Sequence, residues 1–163
     1  MALIFTVDDD PEVGGLIKVL FEDRGHEVLV FENGNQCLDR LDENPSVVFL
    51  DMIMPVMDGM EILKTIKSAK SDLPVIMVTG VDDADSAVKA MKLGAFDYIV
   101  KPFDEQRLFS VLDKAIEQTA LVGQVRYLQV ELNRAQGIRG IVGRSPALTD
   151  TLEKIQKVGV SNA

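Results

Sequence analysis

Apolar residues gather in short runs along the first two-thirds of this chain. The runs fall at residues 3–7, 27–31, 47–50, 74–78 and 96–100. Near-continuous apolar runs of this length are what strands covered on both faces look like. Between them the spacing changes to that of helices. Pro11 sits at a first helical position with Asp10 as its cap. Val13, Leu16, Ile17 and Leu20 then form one face, and Gly25 closes the helix. Gly14 and Gly15 within it disfavour a helix by about 1 kcal/mol each, unless close packing needs them. Cys37, Leu38 and Leu41 mark a second helix, ended by Asn44-Pro45. Asp58-Gly59 opens a third, with Ile62, Leu63 and Ile66 on one side. Residues 83–93 predict a fourth, with Ala84, Ala87, Val88 and Met91 inward and Gly94 as its stop. A fifth begins near Asp104. Strands alternating with helices predict an α/β fold, a parallel sheet with right-handed crossovers and helices on both faces.

The fifth helical pattern does not stop where a domain would end it. Residues 105–136 contain no proline and one glycine, Gly123. Apolar positions at Leu108, Leu112 and Ala115 are followed by Leu121, Val125, Leu128 and Leu132. The second set has the four-three spacing of a coiled-coil seam. At 1.5 Å per residue such a helix is about 48 Å long, more than a small domain covers. Its far half is therefore expected to pair with a second copy. Residues 137–143 carry three glycines and read as a boundary. Ser145-Pro146 then starts a short amphipathic pattern through Leu148, Leu152 and Ile155. One such helix cannot bury a core, so it reads as the opening of a further domain.

Composition narrows the function. The 163 residues are 47% hydrophobic and 26% charged, the balance of a globular protein. A net charge of −9 is unsuited to wrapping nucleic acid. One cysteine, Cys37, and one histidine, His26, exclude a disulfide and Cys- or His-rich metal sites. Cys37 is expected in the core and His26 in a surface turn at the end of the sheet away from any site. No apolar run reaches the roughly 20 residues of a membrane span, and the start lacks a leader's basic region, so a cytoplasmic location is expected.

The unusual polar residues share one address. Asp8 and Asp9 follow the first run, Asp51 ends the third, Thr79 the fourth and Lys101 the fifth. Sites in open parallel sheets form outside the carboxyl ends of the strands. Three carboxylates gathered there repel one another, a conflict that a hard divalent cation such as Mg²⁺ resolves. A lysine and a hydroxyl beside them suit a phosphoryl group. Asp51, at the centre, can attack phosphorus as a nucleophile. Taken singly, the same acids would serve as helix caps, Thr79 as a turn former and Lys101 as a surface charge.

Four segments carry a family resemblance. They are Val7-Asp8-Asp9-Asp10-Pro11, the run from Phe49-Leu50-Asp51 through Pro55 to Asp58-Gly59, Val78-Thr79-Gly80, and Val100-Lys101-Pro102-Phe103. In order, spacing and placement they resemble the receiver domain of two-component response regulators, over residues 1 to about 118. The resemblance implies a flavodoxin-like doubly wound sheet of order 2-1-3-4-5. It implies that Asp51 accepts a phosphoryl group from a sensor histidine kinase. Asp9, Asp51 and the backbone carbonyl of Ile53 would hold Mg²⁺, with Asp8 acting largely through water. Lys101 would contact the phosphoryl group, Thr79 would move to bond it, and Tyr98 falls at the aromatic switch position. Lys101-Pro102 resembles a bond that is usually cis in the family. Ile53 and Val81 fall at positions that tune the lifetime of the phosphoryl group. Both are apolar, which predicts slow hydrolysis.

The tail, Ile141-Val142-Gly143-Arg144-Ser145-Pro146-Ala147-Leu148, is similar to the start of the AAA+ domain of sigma-54-dependent transcription activators. No phosphate-binding G-x-x-x-x-G-K-[ST] loop follows it. The expected organisation is a receiver domain (1–118), a helical linker (119–137) and the truncated start of an ATPase domain (138–163). On this reading the chain is a switch and not an enzyme, and it meets RNA polymerase and DNA only through domains outside it. Two alternatives remain at this point. A phosphatase of the haloacid dehalogenase type would want Asp-x-Asp-x followed by Thr or Val, whereas Asp8-Asp9-Asp10-Pro11 is followed by Glu12. A partner-binding pseudo-receiver would not need the full acid set.

Overall fold

The computed structural model of the chain describes residues 1–80 and 82–140, with side chains described through Gln136. Val81 and the tail from residue 141 onward, including the segment similar to an AAA+ start, lie outside the described residues. Five strands, β1 (Leu3–Val7), β2 (Glu27–Phe31), β3 (Val47–Asp51), β4 (Val75–Thr79) and β5 (Asp97–Val100), form one parallel sheet of order β2-β1-β3-β4-β5. They alternate with α1 (Pro11–Glu22), α2 (Gly34–Asp39), α3 (Gly59–Ala69), α4 (Ala84–Lys92) and α5 (Glu105–Gly140). The expected α/β fold and strand order are therefore present, with each strand within a residue or so of its predicted place.

Successive strand residues point to opposite faces, and two cores result. Phe5, Val7, Val48, Leu50, Val75 and Met77 pack on one side with Ile62, Leu63 and Ile66 of α3. Ile4, Val47, Phe49, Ile76 and Val78 pack on the other with Ile17 and Phe21 of α1 and Leu108, Val111, Leu112 and Ala115 of α5. Cys37 is fully buried in the first core, where burial pushes its thiol up to about 12. His26 lies beside the amino end of β1, its Nδ1 accepting the Ala2 N–H at 3.2 Å, whereas the acids stand at the carboxyl ends of the strands.

Two helices present faces other than those expected. In α1 the buried residues are Gly14, Ile17 and Phe21, while Leu16 is 51% and Val19 56% exposed. The reason is Gly14: a Cβ there would lie 2.7 Å from Cγ1 of Val30, so β2 approaches the helix where the side chain is missing. The inner face is therefore centred on a glycine that hydrophobic patterning does not count. Gly15 has open space around it, and nothing in the structure explains it. In α4 the buried residue is Ala90, and Val88 and Met91 face outward. Small residues again lie against the body while the larger apolar ones do not. The second helix also differs, ending at Asp39. A 3₁₀ turn at Leu41–Glu43 follows and closes at Asn44, whose φ of 59° is left-handed.

A prediction arises from α1. Gly14→Val should lower stability by about 1–3 kcal/mol through overpacking against Val30. Gly15→Ala should raise it by about 0.5–1 kcal/mol, since a helix gains from the exchange where there is room. Urea unfolding of the two variants checks this. Equal destabilisation by both would show that the β2 approach is not what fixes the face of α1.

Helix α5 starts under the cap of Asp104, whose Oδ1 accepts the Arg107 N–H, while Arg107 pairs with Asp97 at 3.1 Å. Thr119 still ties it to the body, its hydroxyl donating to the Ser46 carbonyl at 2.9 Å. Met1–Val122 is one compact unit, and Gly123–Ala163 is the other. The helix itself continues to residue 140, past the predicted 136. Leu121, Val125, Leu128 and Leu132 are all 49–64% exposed. No helix among the described residues is long and apolar enough to cross a membrane.

Candidate functional site

Parallel register brings the carboxyl ends of the strands to one edge. Val7 pairs with Leu50, Asp51 with Val78, and Thr79 with Val100. Residues just beyond these pairs therefore share a pocket. Asp8 leaves β1 with its N–H donating to the Phe31 carbonyl at 3.1 Å. Its Oδ1 accepts the Asp10 N–H at 2.9 Å, and Asp10 in turn caps α1 by accepting from Glu12 at 2.9 Å. The chain thus turns from strand to helix on consecutive acids, which leaves Asp8 buried and Asp9 exposed.

The carboxylates of Asp8, Asp9 and Asp51 each offer an oxygen within 4.8 Å of the others. The Lys101 ammonium lies 2.8 Å from Oδ2 of Asp8 and 3.7 Å from Oδ2 of Asp51. It stands beyond β5 at a cis Lys101–Pro102 bond, as the resemblance implied. Asp51 is 6% exposed and its carboxyl is pushed up to about 6. Burial is the main cause and the neighbouring Asp8 charge the next; Lys101 and the Ile53 N–H, which donates to Oδ1 at 3.4 Å, oppose them. Three carboxylates against one ammonium leave two surplus negative charges when all are ionised. Hard oxygen donors at this spacing, with this surplus, fit a divalent cation such as Mg²⁺.

Thr79 is buried at the end of β4. The Tyr98 side chain on β5 is hydrogen-bonded to it, and burial with the nearby Asp83 and Asp82 charges raises the Tyr98 hydroxyl above its ordinary value. Of the residues selected from the sequence, Asp8, Asp9, Asp51, Ile53, Thr79, Tyr98 and Lys101 lie along this edge or on a strand leading to it, and Val81 lies outside the described residues. Three features were not foreseen. Lys101 is paired to Asp8 directly, Thr79 and Tyr98 are bonded to each other, and Gly59 abuts the Asp51 backbone. The first two depend on side-chain torsions that sequence does not specify. The third had a signal, a glycine at the opening of α3 immediately after its capping Asp58.

The model of the response regulator receiver domain matches residues 4–113. The chain belongs to this family. Sequence likeness to curated proteins runs further than the receiver domain, across 98% of the chain. The Escherichia coli regulatory protein AtoC is 33% identical over 161 residues, and the Klebsiella pneumoniae transcriptional regulator NtrC 35% identical over 161 residues. The chain spans about a third of the length of these relatives. Among solved structures, a receiver domain from Clostridium thermocellum aligns at 38% identity and a TM-score of 0.71, covering 75% of this chain and 99% of that one. NtrX from Brucella abortus aligns at 34% identity and a TM-score of 0.71, covering 78% of this chain and 29% of that one. In this receiver domain the flavodoxin-like sheet is the scaffold, and the acids at its edge are the candidate phosphoacceptor site.

Proposed function

We propose that this receiver domain accepts a phosphoryl group on Asp51 from the phosphohistidine of a sensor kinase. The observation that carries this is the convergence of Asp8, Asp9, Asp51 and Lys101 at one strand edge. An oxygen of the Asp51 carboxylate attacks phosphorus in line with the departing imidazole. The new O–P bond makes an acyl phosphate, the N–P bond breaks, and its electron pair leaves with the ring nitrogen. Mg²⁺ held by Asp9, Asp51 and the Ile53 carbonyl, with Asp8 behind, would neutralise charge on the phosphoryl oxygens. Lys101, already 3.7 Å from Asp51, exchanges part of its hold on Asp8 for the incoming phosphoryl oxygens. Thr79 then turns its hydroxyl toward the phosphoryl group, and Tyr98, bonded to it, follows. The domain is a switch with no substrate of its own to turn over.

The output belongs to the longer protein. Likeness to NtrC and AtoC over nearly the whole chain supports a cytoplasmic sigma-54 activator, in which phosphorylation of this domain governs a following AAA+ ATPase. The exposed seam of α5 supports pairing of two copies. The test is incubation with acetyl phosphate and Mg²⁺, followed by mapping of the modified residue. A single acyl phosphate at Asp51, formed only with the cation, is expected. A label on another residue, or none, overturns the reading.

The lifetime of that acyl phosphate follows from Ile53, which stands 61% exposed two residues after the nucleophile. Hydrolysis needs a water oriented in line with phosphorus, and Ile53 offers it no hydrogen bond. Ile53→Asn should therefore speed phosphate release by about 5- to 30-fold, the effect of one positioning contact of about 1–2 kcal/mol. Release from donor-free, preloaded protein measures this. Equal rates would show that water finds its own path past Ile53.

A further inference from the structure

The amino terminus of α3 meets the end of β3 with no room for a side chain. A Cβ on Gly59 would lie 2.4 Å from the Asp51 carbonyl oxygen, 2.7 Å from Met52 Cα and 2.9 Å from the Met52 carbonyl oxygen. All three are backbone atoms and cannot rotate away. The Gly59 N–H donates to the Met52 carbonyl at 3.0 Å, and Asp58 caps the helix by accepting the Met60 N–H at 3.0 Å. Two adjacent residues therefore start α3 and bind it to the strand that carries the phosphoacceptor. Gly34, at the matching place in α2, differs. The nearest atoms a Cβ there would meet all belong to the side chain of Ile62, which has torsions to yield.

The backbone held by Gly59 carries the chemistry. Asp51 supplies the central carboxylate, and the Ile53 N–H two residues on donates to it. Any shift of Asp51 and Met52 away from α3 alters where both residues stand relative to Asp8 and Asp9. We propose that Gly59 is a positioning residue for the phosphoacceptor site. By admitting α3 against the Asp51–Met52 backbone, it fixes the path of residues 51–53 and so sets the affinity of the acid cluster for a divalent cation. This rests on the reading of the cluster as a Mg²⁺ site. It adds a residue that touches neither the cation nor the phosphoryl group.

Mg²⁺ titration of the full chain, followed by calorimetry and by amide NMR shifts, tests the proposal. Gly59→Ala should weaken Mg²⁺ binding by about tenfold or more, the range seen when supports behind metal ligands are lost. The Mg²⁺ concentration needed for half-maximal phosphoryl uptake should rise in parallel. Gly34→Ala, which crowds a side chain, should lower stability and leave Mg²⁺ binding unchanged. Should Gly59→Ala not fold alone, all the proteins are titrated with trimethylamine N-oxide, which favours the compact state. Wild-type affinity in Gly59→Ala overturns the proposal, as does an equal loss in both glycine variants, which would mark a general destabilisation. A wild-type chain that takes up phosphoryl groups but binds no Mg²⁺ overturns instead the reading of the cluster as a metal site.

Discussion

Asp51→Asn is expected to abolish phosphoryl uptake and, without a divalent cation, to make the protein more stable at neutral pH. The first effect follows from loss of the nucleophile. The second follows from the raised carboxyl. Its folded value of about 6 lies above the ordinary 3.8, because burial and Asp8 disfavour the charge more than Lys101 and the Ile53 amide favour it. Below the ordinary value both folded and unfolded chains hold the proton, and nothing is lost. Between the two values the folded chain keeps the proton that the unfolded chain releases. Stability therefore falls as pH rises through this window, and above about 6 the full penalty applies, on the order of 3 kcal/mol. Asparagine keeps the shape and can still accept the Ile53 N–H. Urea unfolding in a chelator should show wild type gaining stability, relative to the variant, between about pH 7 and about pH 5. Saturating Mg²⁺ should stabilise wild type more than Asp51→Asn. Parallel pH curves for the two proteins would mean that Asp51 carries no such penalty.

Replacing Val125 and Leu128 by lysine should convert a dimer into monomers. Leu121, Val125, Leu128 and Leu132 recur at intervals of four, three and four on an unbroken helix, and all stand exposed in the single chain. Two copies laid side by side would bury these four side chains from each. Full burial of one such side chain is worth about 1.5–3 kcal/mol. Two lost per copy, with lysine charges facing each other, should weaken association by far more than about a hundredfold. Light scattering on wild type and variant, with and without phosphorylation, measures it. An unchanged mass would remove the seam from consideration and leave the surface of the receiver body as the site of self-association.

The strands were legible because both faces of the sheet are covered, so every strand residue tends to be apolar and the runs stand out from periodic helices. The site was legible for a related reason: an acid, a threonine or a lysine at the end of an apolar run marks where the chain leaves the core. Helix faces were less so. A 3.6-residue period fits more than one rotation of a helix, and the choice in α1 and α4 was made by Gly14 and Ala90. These residues contribute little apolar area but allow close approach. The Thr79–Tyr98 and Asp8–Lys101 pairs were hidden because proximity at a strand edge does not specify which groups bond.

Cys37 gives the protein a practical property. A thiol held at about 12 in a fully closed environment is ionised in roughly one molecule in ten thousand or fewer near neutral pH. Maleimides and methanethiosulfonates, which need an accessible thiolate, should pass it by while the fold is intact. The native sequence is thus already a silent background for single-cysteine labelling. A nitroxide placed at an outward position such as Gln124 would report the spacing between paired chains, with no prior removal of the natural cysteine.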